Sequence, residues 1–135
     1  MRRFCFSLIC AALPFPAMAQ SYLAMNQLQV VPISATSFEV IEGRGEGARG
    51  MWCAAADYVL NGQRQSGDQR LYVQSVRGPS VTVAGRKGAV FTTDVATLPE
   101  GPKKSYSVSV RIAGLGLPLR HAYQFCKDYQ IELQD

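Results

Sequence analysis

The chain has 135 residues, 47% of them apolar and 18% charged, with fourteen basic and ten acidic side chains and a formal net charge of +4. That length suits one domain around one core, and that balance excludes a disordered chain. Two of the basic residues sit in the first three positions, so the rest of the chain carries a smaller charge than the total.

The chain opens with Arg2 and Arg3, continues through an apolar run over residues 4–13, and reaches Pro14, Pro16 and the small-residue pair Ala17 and Ala19. A basic start, an apolar run too short to span a bilayer and a small-residue cleavage site predict a secretory signal peptide over residues 1–19. Ile9 is too bulky to precede a lipidated Cys10, and the two arginines lack the surroundings of a twin-arginine signal, so general secretion is preferred. Cleavage after Ala19 leaves residues 20–135 as a single compact domain with twelve basic and ten acidic side chains, a formal charge of +2. No later apolar stretch is long enough for a membrane span, because Asp57 interrupts the best one.

Residues 27–31 and 37–41 read as short strands, the second rich in β-branched and aromatic residues. A glycine-rich turn over 43–50 comes next. It leads to a helix over 51–60, in which Trp52, Ala55, Ala56 and Val59 recur at i, i+3, i+4 and i+7, ended by Asn61 and Gly62. Residues 69–76, 80–84 and 89–93 predict a meander of hairpins, separated by turn residues at 77–79 and 85–88. The clearest period-two alternation is Tyr106, Val108, Val110 and Ile112 against Ser107, Ser109 and Arg111, which predicts a half-buried strand. Residues 118–127 fit either a strand or a helix. Helix is preferred because Pro118 suits a first helical position and Leu119, Ala122, Tyr123 and Cys126 share one helical face. Tyr129, Ile131 and Leu133 then alternate as in a short final strand.

Of the four cysteines, Cys5 and Cys10 leave with the signal, and the remaining Cys53 and Cys126 are expected to pair in an oxidising compartment. The expected architecture is α+β: an antiparallel sheet of about five strands with two helices on one face, joined by this disulfide.

Functional motifs are sparse. Gly45, Gly47 and Gly50 satisfy G-x-G-x-x-G between a strand and a helix, but the hairpins after them do not make the repeated βαβ units of a dinucleotide fold, so no cofactor is expected. The same turn, with Arg44 and Arg49 beside Gly45, Gly47 and Gly50, can offer backbone N–H groups and positive charge to a phosphate, sulfate or carboxylate. His121 is the only histidine. No G-x-S-x-G elbow accompanies it and no close C-x-x-C pair exists, so neither a catalytic residue nor a metal site is assigned. Asp57, inside the apolar helix, must either reach solvent or find donors. The pairs Arg86-Lys87 and Lys103-Lys104, near Tyr72, Phe91 and Tyr106, superficially suit nucleic acid. The small mature charge and the expected export argue instead for an anionic envelope component.

Trp52, Cys53, Ala54, Ala55, Ala56, Asp57 and Tyr58, together with Ala122, Tyr123, Gln124, Phe125 and Cys126, resemble segments of uncharacterised small exported proteins of alphaproteobacteria. That resemblance implies a Gram-negative periplasmic or secreted destination and the pairing of the two cysteines, and it brings no activity. The function expected is a non-enzymatic binding or interaction protein of the cell envelope, with another envelope protein or an anionic envelope component as partner. One alternative is a small-molecule or anion-binding module built on the 43–50 turn. A second is a small hydrolase or thiol enzyme.

Overall fold

The computed structural model describes residues 20–134; the signal peptide read over residues 1–19 lies outside the described residues. Six strands form one sheet: β1 (Tyr22–Leu23), β2 (Gln29–Pro32), β3 (Ser37–Ile41), β4 (Arg70–Pro79), β5 (Lys87–Thr92) and β6 (Gly116–Pro118). Their order is β1-β2-β3-β5-β4-β6, and every pairing is antiparallel. Two helices, α1 (Gly47–Asp57) and α2 (Leu119–Glu132), complete the α+β architecture.

Alternate residues of the central strands set the core. Phe38 and Val40 of β3, Leu71 and Val73 of β4, and Ala89 and Phe91 of β5 join one apolar cluster with Trp52, Ala55 and Ala56 of α1 and Leu119 and Ala122 of α2. Residues spaced by two on a strand share a face, so both helices lie on that face of the sheet. Trp52 meets Phe91 edge-on with ring centroids 5.0 Å apart. The helices are also joined covalently: Cys53 and Cys126 form a disulfide with their Cα atoms 5.0 Å apart.

The other face of the central strands is buried too. All five residues of β3 are buried, Glu39 among them, and the same holds for five of the six in β5. An antiparallel sheet with helices on one side ordinarily leaves the other side wet. Here two loops roof it. One spans residues 80–86, and the other carries the short turn Val95–Thr97, whose Thr97 hydroxyl donates to Thr92 Oγ1 at 3.0 Å.

Several expected elements change. Residues 80–84 are that roofing loop and not a strand, because the backbone N–H groups of Val81 and Thr82 donate to the Glu39 carboxylate and are not free for a ladder. Residues 106–112 are irregular despite their alternation. The Ser105, Ser107 and Ser109 hydroxyls accept from the backbone N–H groups of Ser107, Ser109 and Arg111. The period of two therefore reports repeated serine turns, which compete with a strand for the same donors. The carbonyl of Val108 goes to the indole of Trp52 at 2.8 Å, and that of Val110 to the N–H of Arg77 at 2.8 Å.

Residues 129–133 make no strand, since α2 runs through to Glu132. The helix expected over 51–60 begins earlier, at Gly47, and passes after Asp57 into one wide turn, Tyr58–Gly62, with Gln63 N–H donating to Tyr58 O at 2.7 Å. Gly47, Arg49 and Gly50 thus belong to the first turn of α1 and not to a free loop. Gly50 is required there: a Cβ would fall 2.3 Å from Cβ of Glu46.

Candidate functional site

Three backbone turns, β1–β2, β3–α1 and β4–β5, converge at the end of the sheet beside β1, β2 and β3. Their residues line an open groove of 420 Å³, within the size range of small-molecule sites. Leu28 and Ile41 form its apolar floor, and Gln27, Gln29, Arg44 and Arg86 supply its polar groups. Among the described residues, no carboxylate lines it. Of the described non-glycine residues, three adopt a left-handed backbone, and two of them, Gln27 at φ 66° and Arg44 at φ 55°, stand in this groove. Each such residue costs on the order of 1–3 kcal/mol and persists only where its surroundings over-determine it, an arrangement that clusters at ligand clamps and active sites.

The surroundings do so here. Asn26, fully buried, donates through Nδ2 to the carbonyl of Gly50 at 2.8 Å, and Gln27 N–H donates to Ala24 O at 2.8 Å. The β1–β2 turn is thereby fixed to α1. Asp57, 3% exposed, holds the same turn from below: it accepts from Met25 N–H at 2.9 Å, Tyr22 Oη at 3.0 Å and Asn61 Nδ2 at 2.7 Å. Of the two fates open to this carboxylate, the protein uses the buried one, with backbone and side-chain donors and no arginine.

Arg86 reaches the groove from the far side. Its Nη2 donates to the carbonyl of Glu42 at 3.0 Å, which ties the β4–β5 turn to the β3–α1 turn. The Glu42 carboxylate points elsewhere, into a two-pronged pair with Arg77 at 2.7 and 2.9 Å. Hydrogen bonding to Arg77 holds the Glu42 carboxyl below the usual carboxylate range. Glu42 is thus neutralised by Arg77, and Arg86 keeps donors for the groove. Among the described residues, the side chains of Arg44, Gln27 and Gln29 make no internal hydrogen bond.

The five residues singled out in the sequence separate into different surroundings. Arg44, Gly45, Arg49 and Gly50 line a second cleft of 330 Å³ together with Glu46, Asp128 and Glu132, and Arg49 lies over the ring of Phe125 at 5.7 Å. Burial, and then the neighbouring Glu132, pushes the Glu46 carboxyl above its ordinary value. An anion entering this cleft meets three carboxylates as well as two arginines. Gly47 faces a third depression beside Glu42 and Arg77. Arg44 alone of the five also lines the carboxylate-free groove, where its companion is Arg86, a residue the sequence suggested only as half of a basic pair in a turn.

The other sequence candidates lie apart. His121 is exposed on α2, with its ring tilted against Phe125 at 5.9 Å. Phe91 is in the core and Tyr106 is fully exposed. Lys103, Lys104 and Tyr72 do meet, with Arg70, in a groove beside β6, but Lys103 pairs with Glu100 at 3.3 Å and Arg70 donates to the carbonyl of Gly116 at 3.2 Å. Among the described residues, both cysteines are in the disulfide.

No helix among the described residues is long and apolar enough to cross a membrane. Comparison with protein-family models, with curated proteins and with solved structures found no match.

Proposed function

We propose that the chain is an exported, non-enzymatic binding protein of the cell envelope that holds an oxyanion, a phosphate or a carboxylate, in the groove between Gln27, Arg44 and Arg86. The observation that carries this reading is the convergence of two left-handed polar residues and a second arginine on a groove without a carboxylate. Guanidinium groups with free donors suit carboxylate and phosphate oxygens geometrically, and glutamine amides can complete the oxygen's shell. Export is supported by the leader-like start of the sequence and by the disulfide, a bond that persists in oxidising compartments. The resemblance to exported alphaproteobacterial proteins extends the proposal to a Gram-negative periplasm.

The test is a thermal-shift series on the processed protein with inorganic phosphate and with citrate. An anion present at tenfold over its Kd stabilises by about 1.4 kcal/mol, which for a domain of this size raises Tm by about 5 °C. Arg44→Ala and Arg86→Ala should each abolish the shift, whereas Arg49→Ala, in the carboxylate-rich cleft, should leave it. Absence of any shift with either anion, or its loss in Arg49→Ala alone, overturns the assignment. Co-sedimentation with phosphatidylglycerol vesicles separates a lipid headgroup from a free anion as the source of the phosphate.

A further inference from the structure

The sheet face away from the helices holds an unusual group. Glu39, in the middle of β3, is 1% exposed, and none of the ion pairs among the described residues includes it. A buried carboxylate without a cation is costly unless its oxygens are fully hydrogen-bonded. Its donors are Ser80 Oγ at 2.5 Å, Thr82 Oγ1 at 2.5 Å, Val81 N–H at 2.9 Å and Thr82 N–H at 3.2 Å. All four come from three consecutive residues. An apolar side chain could be buried on this face, as Ile41 is beside it; what a carboxylate adds is direction, fixing one loop in one place.

That loop is tied to itself by hydrogen bonds. Ser80 N–H donates to Arg86 O at 2.8 Å, and Val83 N–H to Ser80 Oγ at 2.9 Å, closing the segment 80–86 on itself. Arg86 stands at its far end and from there reaches Glu42 O and the groove. We propose that Glu39 is a positioning residue for the groove: it anchors the 80–86 turn so that the Arg86 guanidinium is held ready for the anion. The proposal rests on the anion-binding reading of the groove. Loop order and anion affinity are linked through one buried carboxylate that never touches the ligand.

Two variants test it. Glu39→Gln keeps the shape and replaces one acceptor by an amide N–H₂ facing other donors; the Ser80→Ala, Thr82→Ala double variant removes the two hydroxyl donors without altering the strand, and serves if Glu39→Gln fails to fold. Phosphate affinity is read by titration calorimetry and loop order by amide hydrogen exchange on the full processed protein. Both variants should exchange the 80–86 amides faster while those of α1 stay protected, and phosphate should bind about tenfold more weakly, the size expected for misplacing one charged donor. If the loop loosens and phosphate binds as before, or if neither property changes, the positioning role is wrong while the groove stands. Failure of the unaltered protein to bind phosphate is a different result, visible without any variant, and it removes the groove itself.

Discussion

The carboxyl group of Glu39 lies against the bare Cα of Gly88: a Cβ built there would come 3.0 Å from Cδ and Cγ of Glu39 and 2.8 Å from the carbonyl oxygen of Val40. Neither neighbour can yield. The carbonyl belongs to the β3 backbone, and Glu39 is held by four donors. Gly88→Ala is therefore an overpacking substitution, and we expect it to lower stability by about 2 kcal/mol, with the urea midpoint falling and the m-value unchanged. A loss under about 0.5 kcal/mol would mean the sheet gives way there at little cost, contrary to this packing.

The disulfide closes 73 residues of chain between α1 and α2. Restricting the unfolded chain over such a loop contributes about 4 kcal/mol, a large share of the stability of a domain this size. We expect the Cys53→Ala, Cys126→Ala double variant to lose about that much in urea denaturation. Both of these cysteines are fully buried, so the disulfide should resist mild reductant until denaturant is added. Intact mass of a chain of residues 20–135, with and without alkylation, reads the pairing directly, and two alkylated thiols in the undenatured protein would contradict it.

How much of this fold was legible in the sequence depends on which interactions leave a pattern. Trp52, Ala55, Ala56 and Val59 announced α1 because an apolar face must recur at the helical period to be buried, and Leu119, Ala122 and Cys126 announced α2 likewise. The alternation from Tyr106 to Ile112 misled because serine hydroxyls capping every second N–H produce the same period as a half-buried strand. Ser80 and Thr82 misled in the same way, being donors to a carboxylate far away in sequence. The groove was only half visible. Arg44 stood out beside glycines, but nothing in residue type marks Gln27 as left-handed or brings Arg86 to it across the sheet. One signal was available: a glutamate inside the apolar run Phe38, Val40, Ile41 must find partners, although nothing in the sequence says which residues supply them.

Tyr22 gives the molecule a sensitivity to alkali. Burial first, and then the hydrogen bond to Asp57, pushes its phenol from 10.0 up to about 12. Burial raises that of Tyr58 as well. The folded protein holds these protons more tightly than the unfolded chain does, so the stability they contribute is complete below about pH 10. For Tyr22 it is lost as the pH rises through about 12. The urea midpoint should accordingly fall over that interval. Tyr22→Phe leaves Asp57 with Met25 N–H and the Asn61 amide; it should cost about 1 kcal/mol at neutral pH and make the alkaline decline shallower. An unchanged alkaline slope in this variant would show that other groups set it.

Trp52 joins the core to the irregular 105–113 segment, and that connection can be separated from the segment's own serine turns. The indole is fully buried, stands edge-on to Phe91, and donates to Val108 O at 2.8 Å. Trp52→Phe keeps an aromatic ring but leaves a small cavity and an unpaired carbonyl, a loss of about 2–3 kcal/mol. If the indole is what anchors the segment, the Arg77 N–H that donates to Val110 O should also exchange faster with solvent, since the carbonyl it meets is no longer held in place. The Ser105, Ser107 and Ser109 hydroxyls are exposed, so replacing all three by alanine should cost under about 1 kcal/mol and leave the Arg77 amide protected. The reverse outcome, a protected Arg77 amide in Trp52→Phe and a freely exchanging one in the serine variant, would place the anchor in the local turns and reduce Trp52 to a packing residue.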